Sequence, residues 1–580
     1  MKDFEIRAIE VHSVYAWDYR WILKVLDFAQ RTELNALILH RNDVVDQVVF
    51  PGLVFGVPQG KARSIFERYN AAYRKIYKYT PTRRSGPQLR RDYLRKVVAK
   101  AASMGIQVYL QNKELFFPDV LLELFPELTK GGHVCACDPF WKNFLRVKYS
   151  ELLEDVPDIA GIITSLGTGE SRVSITSNRC TCPLCAAKST EDWYLGLLSA
   201  MYEPLAAKGK RLVVRDFVFT KKNQDQLASQ FDRLPGDVAI AIKNTPHDYY
   251  PTFPVNALIE NLKGRDKWIE FDAMAQYFGW GIGPSILLED FRTRFAHALA
   301  HGAKGVILRT DWESLDGHTA FDTPNIVNLY AGAALAGSGK AKDEEIVRLW
   351  VEDARGFKDP SMPEAIKEEA TAWLASLLRR SWDVIKQGLF VQDCVFNDCS
   401  TFPVGYDQAL WLTLEKNSLQ DWKPEKAGAY DPGEANILAI IDEKEKALEG
   451  AKTLARYVSS CPHHFFSAEF LGFLALHFAA AVPYVRGFYA LGKLFALLRF
   501  GIGTGLGAEA PTRALGGRPL GDWLSEAVDE IDLVVAEYRK LFAETDYPHS
   551  FYQLMSADKI ACFRGDAVAV AGERLGWVPK

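Results

Sequence analysis

The chain has 580 residues, 48% hydrophobic and 24% charged, with 69 Lys and Arg against 73 Asp and Glu for a formal charge of −4. Such a length exceeds one ordinary core and predicts roughly two to four domains. So balanced a charge offers no electrostatic footprint for nucleic acid or an acidic membrane surface, and neither is expected as a partner.

The opening stretch, MKDFEIRAIEVHS, has neither the apolar core nor the cleavage site of a leader, which predicts a cytoplasmic protein. Short β-branched runs then recur between helical stretches. They are IRAIEVHSV (6–14), ALILH (36–40), IQVYLQN (106–112), IAGIITS (159–165), RLVVRDFVF (211–219), VAIAIKN (238–244), WIEFDAM (268–274) and GVILRTD (305–311). Most are continuous apolar runs, as parallel strands covered on both faces require. Helical period marks 90–105 and 288–305, and each of these segments ends in glycine, a common helix stop. This alternation across residues 1–335 predicts an α/β fold, a (β/α)8 TIM barrel. A doubly wound open sheet competes, but no G-x-G-x-x-G follows the first strand.

From 336 to 580 the apolar period becomes 3.6 throughout, in stretches such as EAIKEEATAWLASLLRRSWDVIKQ and DWLSEAVDEIDLVVAEYRKLFAE. That predicts an α-helical C-terminal domain, a candidate surface for a homodimer. Its most apolar run, LGFLALHFAAAVPYV (471–485), is too short to span a bilayer and reads as a buried helix.

Chemistry in such a barrel gathers at the C-terminal strand ends. Those positions hold Trp17 and Asp18, then His40, Asn42 and Asp43, then Asn112, Lys113 and Glu114, then Glu170. The second half adds Arg215 and Asp216; Lys243, Asn244 and Asp248; Glu270, Asp272 and Gln276; and Arg309, Asp311 and Trp312. A carboxylate or a cation at every strand end describes a site for a polar ligand, and a 12% aromatic content with 14 Trp suits sugar faces.

Residues 135–312 resemble the α-glucuronidases of glycoside hydrolase family 67. DPFWKNFLRVKYSELLEDVPDIAGIITSLGTGES is similar to the stretch leading to that family's general-acid glutamate, and VVRDFVF to its next strand. KNTPHDYYPTFP and IEFDAMAQYFG resemble the two blocks that follow, in the same order and at similar spacing. The family's N-terminal β-domain has no counterpart before the first strand. The resemblance implies an exo-acting hydrolase that removes an α-linked uronic acid or a related sugar from oligosaccharides. It places the general acid on Glu170 and the general base on Asp248, with Arg215 and Lys243 on the sugar carboxylate. Gln276 stands where the family has a second base-side carboxylate, and Leu166 where it has a lysine.

The residues support that reading independently. Glycoside hydrolysis needs one protonated carboxyl and one ionised carboxylate on opposite sides of the bond. Glu170 directly follows Gly167 and Gly169 in a glycine-rich loop, where the backbone can approach a ligand closely. Asp248 lies two strands further round, a separation that suits roughly 6.5–9.5 Å with a water between and hence inversion. Gln276 can orient that water, and Asp272 is the candidate for the missing charge. His40, Asp43, Lys113, Asn244, Arg309, Asp311 and Trp312 complete the expected substrate site, and the reaction needs no cofactor. Two other functions fit the same pattern: a non-catalytic sugar-binding barrel, and a Schiff-base lyase or aldolase using Lys243.

CTCPLC places Cys180, Cys182 and Cys185 within six residues, and HVCACDP adds His133, Cys135 and Cys137. The three thiolates with Cys137 are the candidate ligands of a structural zinc; a set of reduced thiols is the plainer reading.

Overall fold

The computed structural model describes residues 4–48, 81–113, 126–165, 180–218, 220–313, 317–337, 341–416 and 419–579, together with Phe117, Leu122 and Leu315. Contacts divide the chain into two compact units. The first comprises Met1–Asn244, Asn256–Phe271 and Ala296–Ser314; the second comprises Thr245–Val255, Asp272–Phe295 and Leu315–Lys580.

The eight expected strands form a closed barrel. They are β1 (Ile6–Val11), β2 (Ala36–His40), β3 (Gln107–Lys113), β4 (Gly161–Ser165), β5 (Arg211–Asp216), β6 (Ala239–Lys243), β7 (Lys267–Asp272) and β8 (Gly305–Arg309). Their order, β1-β8-β7-β6-β5-β4-β3-β2, is the sequential wrap of a TIM barrel. The seam is closed by the parallel pairing of β1 with β8, where Ile6 faces Gly305 and Glu10 faces Arg309.

Strand side chains alternate between faces, so every second residue points into the barrel. Ile6 and Ala8, Ala36 and Ile38, Tyr109, Ile163, Val213, Ala239 and Ala241, Trp268 and Ile307 form one buried apolar cluster. Tyr109 meets Trp268 edge-to-face, with ring centroids 5.2 Å apart. The small residues in the cluster make room for that indole. At Gly305 a Cβ would lie 2.8 Å from the Trp268 ring and 3.2 Å from the Ile6 side chain.

The connecting helices include α1 (Tyr19–Arg31), α2 (Pro81–Ser103), α3 (Pro139–Asp155), α4 (Thr190–Ala207), α5 (Lys221–Phe231) and α6 (Leu288–Ala300). Asp18, expected at the rim, caps α1 by accepting from the amides of Arg20 and Trp21. Gly105 stands as the expected stop, with left-handed φ 74°; the second helix ends earlier than expected, at Ala300, with left-handed Gly302 (φ 77°) after it, because Gly305 already opens β8.

The second unit is largely helical. It includes α7 (Ile326–Gly337), α8 (Asp343–Asp353), α9 (Glu364–Leu389), α10 (Glu434–Ser459), α11 (Ala468–Gly503), α12 (Leu520–Glu544) and α13 (Ala557–Leu575). The apolar run 471–485 lies inside the 36-residue α11, and the helix is longer than the run because its apolar content continues past Pro483. By length and composition alone α11 could cross a bilayer. Within this unit, however, its polar groups are engaged. Lys493 Nζ donates to Glu526 Oε1 at 2.6 Å, His477 Nδ1 lies 3.0 Å from the Gly281 carbonyl, and the Tyr484 hydroxyl donates to the Ser400 carbonyl.

Gly305→Ala forces a methyl against Trp268 in an already filled barrel, and a loss of about 1–3 kcal/mol in chemical denaturation is expected.

Candidate functional site

Continuing the inward face of each strand by one more alternation reaches Glu10, His40, Gln111, Ser165, Arg215, Lys243, Glu270 and Arg309. Every one of these eight positions is polar, and every one is buried. Directly above an apolar floor, the barrel therefore holds a complete layer of polar side chains. Buried charges persist only when partnered, and this layer shows how that is achieved.

Arg215 and Glu270 form a two-pronged ion pair, with Nε and Nη2 each 2.6 Å from a carboxylate oxygen. Glu10 serves as the hub of the other half. It accepts from His40 Nδ1 at 3.0 Å and from Arg309 Nε at 3.3 Å. Gln111 Nε2 lies 3.0 Å from His40 Nε2. An amide nitrogen can only donate, so His40 accepts at Nε2 and donates from Nδ1, which defines a neutral tautomer. His12 stacks on His40 with ring centroids 3.6 Å apart, and its Nδ1 accepts from Arg309 Nη2 at 3.0 Å. Lys243 Nζ sits 3.5 Å from the centroid of the Phe217 ring, a cation–π geometry. Arg215, Lys243 and Arg309 against Glu10 and Glu270 leave one positive charge in excess within the layer.

Asp311 does a different job. Its carboxylate accepts from the amides of His12 at 2.6 Å and Ser13 at 3.1 Å, tying β8 to the end of β1. Burial pushes its pKa up, against the lowering effect of those amides. Asp216 is also buried: Gln224 Nε2 donates to its Oδ2 at 2.6 Å, while Oδ1 meets no hydrogen-bond partner among the described residues. Burial raises the Asp216 pKa to about 6, with the hydrogen bonds from Gln224 and Asn256 and the charge of Lys243 working in the opposite direction. Asn244 is held through its backbone, donating to the Glu270 carbonyl and accepting from the Asn256 amide. Asp43 and Trp312 are half-buried.

In the second unit, Asp248 is a non-glycine residue in the left-handed region, with φ 47°. Its carbonyl accepts from the Thr245 hydroxyl at 2.5 Å, and its Oδ2 lies 3.4 Å from His247 Nε2. Ala275, Trp280, Cys399 and Ser400 are also left-handed, with φ 77°, 55°, 48° and 55°. These strained residues lock two loops together. Ser400 Oγ donates to the Gln276 carbonyl and accepts from the Gly279 amide, while Trp280 Nε1 donates to the Cys399 carbonyl. Gln276 Nε2 reaches Tyr277 Oη at 3.1 Å and Cys399 Sγ at 3.5 Å, which leaves its buried Oε1 without a hydrogen-bond partner among the described residues. Asp272 accepts at Oδ1 from the Met274 and Ala275 amides and at Oδ2 from Gln276, so its carboxylate shapes the turn that carries Gln276. Strain of this kind collects where a side chain must be held in one direction.

Glu170 and Leu166 lie outside the described residues, as do Glu114 and the side chain of Lys113. Of the thiols, Cys135 rather than Cys137 joins Cys180, Cys182 and Cys185 in a group with all Sγ atoms within 4.8 Å of one another; Cys137 packs at its edge. The cause is the chain path: Cys135 follows the short strand His133–Val134 and is fully buried, while Cys137 is half-buried in the turn before Asp138 caps α3.

Glu10, His12 and Gln111 were not singled out from the sequence. Their signal was present in EVH and YLQ, where polar residues take inward positions of apolar strands. The 397–400 turn had no such signal, since NDCS reads as an ordinary loop.

No family model matches the chain, and no curated protein matches it in sequence. Solved structures do match in fold. A family 138 glycoside hydrolase targeting pectin rhamnogalacturonan II superimposes with a TM-score of 0.59 at 12% identity, over 97% of this chain and 65% of its own. A family 115 4-O-methyl-α-glucuronidase with specificity for decorated arabinogalactans gives a TM-score of 0.44 at 11% identity, over 100% of this chain and 63% of its own. This chain thus spans less than two thirds of either neighbour. The first match speaks for the fold alone, a barrel followed by a helical region.

Two outcomes follow from the buried charges. Arg215→Met strands the Glu270 carboxylate in the barrel and is expected to cost about 3–5 kcal/mol by denaturant titration. The double variant Arg215→Met/Glu270→Leu should recover part of that loss. The folded protein also holds the Asp216 proton to higher pH than the unfolded chain, whose aspartates titrate near 3.8. This group's stabilisation is therefore full below that value and falls away as pH rises through about 6. Asp216→Asn should flatten the stability profile between those two pH values relative to the wild type.

Proposed function

We propose that this chain is an inverting, exo-acting glycoside hydrolase that removes an α-linked uronic acid or a related sugar from an oligosaccharide. Glu170 is the general acid and Asp248 the general base in this reading. The observation that carries it is the layer of eight buried polar side chains above the barrel floor. A sugar offers hydroxyls on every side, and a ring of convergent donors and acceptors is what recognises such a ligand. The layer's excess positive charge favours a substrate carrying a carboxylate. The fold shared with one barrel glycoside hydrolase and the resemblance to family 67 agree with this class.

In the proposed mechanism Glu170 gives its proton to the glycosidic oxygen as the bond to the anomeric carbon breaks. Asp248 takes a proton from a water that attacks the opposite face, and the product sugar has inverted configuration. Gln276 Oε1 would accept the other hydrogen of that water, which suits an oxygen whose amide nitrogen is already held. Lys243, Arg309 and Arg215 would balance the sugar carboxylate.

Turnover of uronic-acid-capped oligosaccharides, followed by NMR of the released anomer, tests the proposal. Glu170→Gln and Asp248→Asn are each expected to lower kcat about 10²–10⁴-fold while substrate binding persists. Undiminished turnover in either variant would overturn its assignment. A retained anomeric configuration would overturn the inverting mechanism, and wild-type binding without turnover would favour the sugar-binding alternative.

A further inference from the structure

Five of the nine cysteines converge at one place, and none is in a disulfide. Cys135 comes from the turn ahead of α3. Cys180, Cys182 and Cys185 come from the segment that follows residue 179, with Cys182 as the N-cap of the short helix Pro183–Ala186. Cys135 Sγ lies 3.5 Å from Cys182 Sγ and 3.7 Å from Cys185 Sγ. Those distances are too long for a disulfide, which needs about 2.05 Å. They are close to the edge of a tetrahedron of sulfurs about 2.3 Å from a central zinc, which is about 3.8 Å.

Thiolates brought this close repel one another unless a cation sits between them. Four neutral thiols would leave a buried cluster of weak donors and acceptors with little mutual attraction.

We propose that Cys135, Cys180, Cys182 and Cys185 bind one structural Zn2+ as a closed tetrathiolate site, with Cys137 outside the ligand set. On binding, the four thiols release their protons to solvent and each sulfur donates a lone pair to the metal; no redox change occurs. A closed site with four protein ligands has no open position for substrate, so the metal acts on structure rather than on catalysis. It cross-links the turn before α3 to the chain just beyond 166–179, the segment containing Glu170. The site stands on its own geometry and does not depend on the glycosidase reading.

The test uses the full-length chain, purified under reducing conditions. Elemental analysis should find about one zinc per chain. After chelation with a strong thiol-competent chelator, the melting temperature should fall and recover on adding Zn2+. Co2+ added to the stripped protein should give tetrahedral d–d bands with intense thiolate-to-metal charge transfer. Cys135→Ser should lose most of the metal, whereas Cys137→Ser and the exposed-residue control Cys562→Ser should keep it. If Cys135→Ser does not fold, the cobalt spectrum of the wild type and the metal content of Cys137→Ser still decide. Substoichiometric zinc in fully reduced protein, or a disulfide among the five thiols, would overturn the proposal. Loss of metal from Cys137→Ser would overturn the ligand set, and iron in place of zinc would overturn the metal.

Discussion

Barrel closure and the two-residue period of its strands impose one constraint that shapes the rest of the first unit. Each strand must send alternate side chains inward, and hydrogen bonding to its neighbours sets the height at which they arrive. The lower levels are filled by Ile6, Ala8, Ile38, Tyr109, Trp268 and their partners, a dry floor that excludes water. The next level must then place Glu10, His40, Gln111, Ser165, Arg215, Lys243, Glu270 and Arg309 in mutual contact range, with no freedom to leave. Such a layer is tolerated because its charges are matched across strands, Arg215 with Glu270 and Glu10 with both Arg309 and His40. Replacing these pairs with apolar residues would often stabilise a barrel.

The second unit meets a different demand. Its loops 272–280 and 397–400 hold each other through Ser400, Trp280 and Gln276, and four left-handed non-glycine residues sit at their junction. Each left-handed residue of this type costs of order 1–3 kcal/mol. The interlock supplies the hydrogen bonds that keep them there. Asp248 is strained in the same way, and the electrostatic influence of its carboxylate reaches Cys399 and Tyr250 in the same unit.

Much of this was legible before any coordinates. The eight strand segments were visible because parallel strands buried on both faces read as unbroken apolar runs, and their observed ends differ from the expected ones by only a few residues. The polar strand ends were visible too, since Arg215, Lys243, Glu270 and Arg309 each close such a run. Other features were hidden. Asp18 and Asp311 look like site carboxylates in sequence, yet one caps α1 and the other fastens β8 to β1. Glu10 looks like an incidental charge near the start of the chain and is the hub of a buried network.

The sequence by itself determined the local conformations: β-branched apolar runs make strands, 3.6-residue periodicity makes helices, and glycine after a helix lets the chain turn through left-handed φ. Together with the count of eight units, these were enough to specify a barrel and a helical region. Tertiary structure alone decided which polar residues meet. Glu10 pairs with His40 and Arg309, 30 and 299 residues away, and Cys135 displaces Cys137 beside three cysteines some 45–50 residues further on. Local propensity carries no information about such distances, because the partners are chosen by strand register and barrel closure, which exist only once the whole chain has folded.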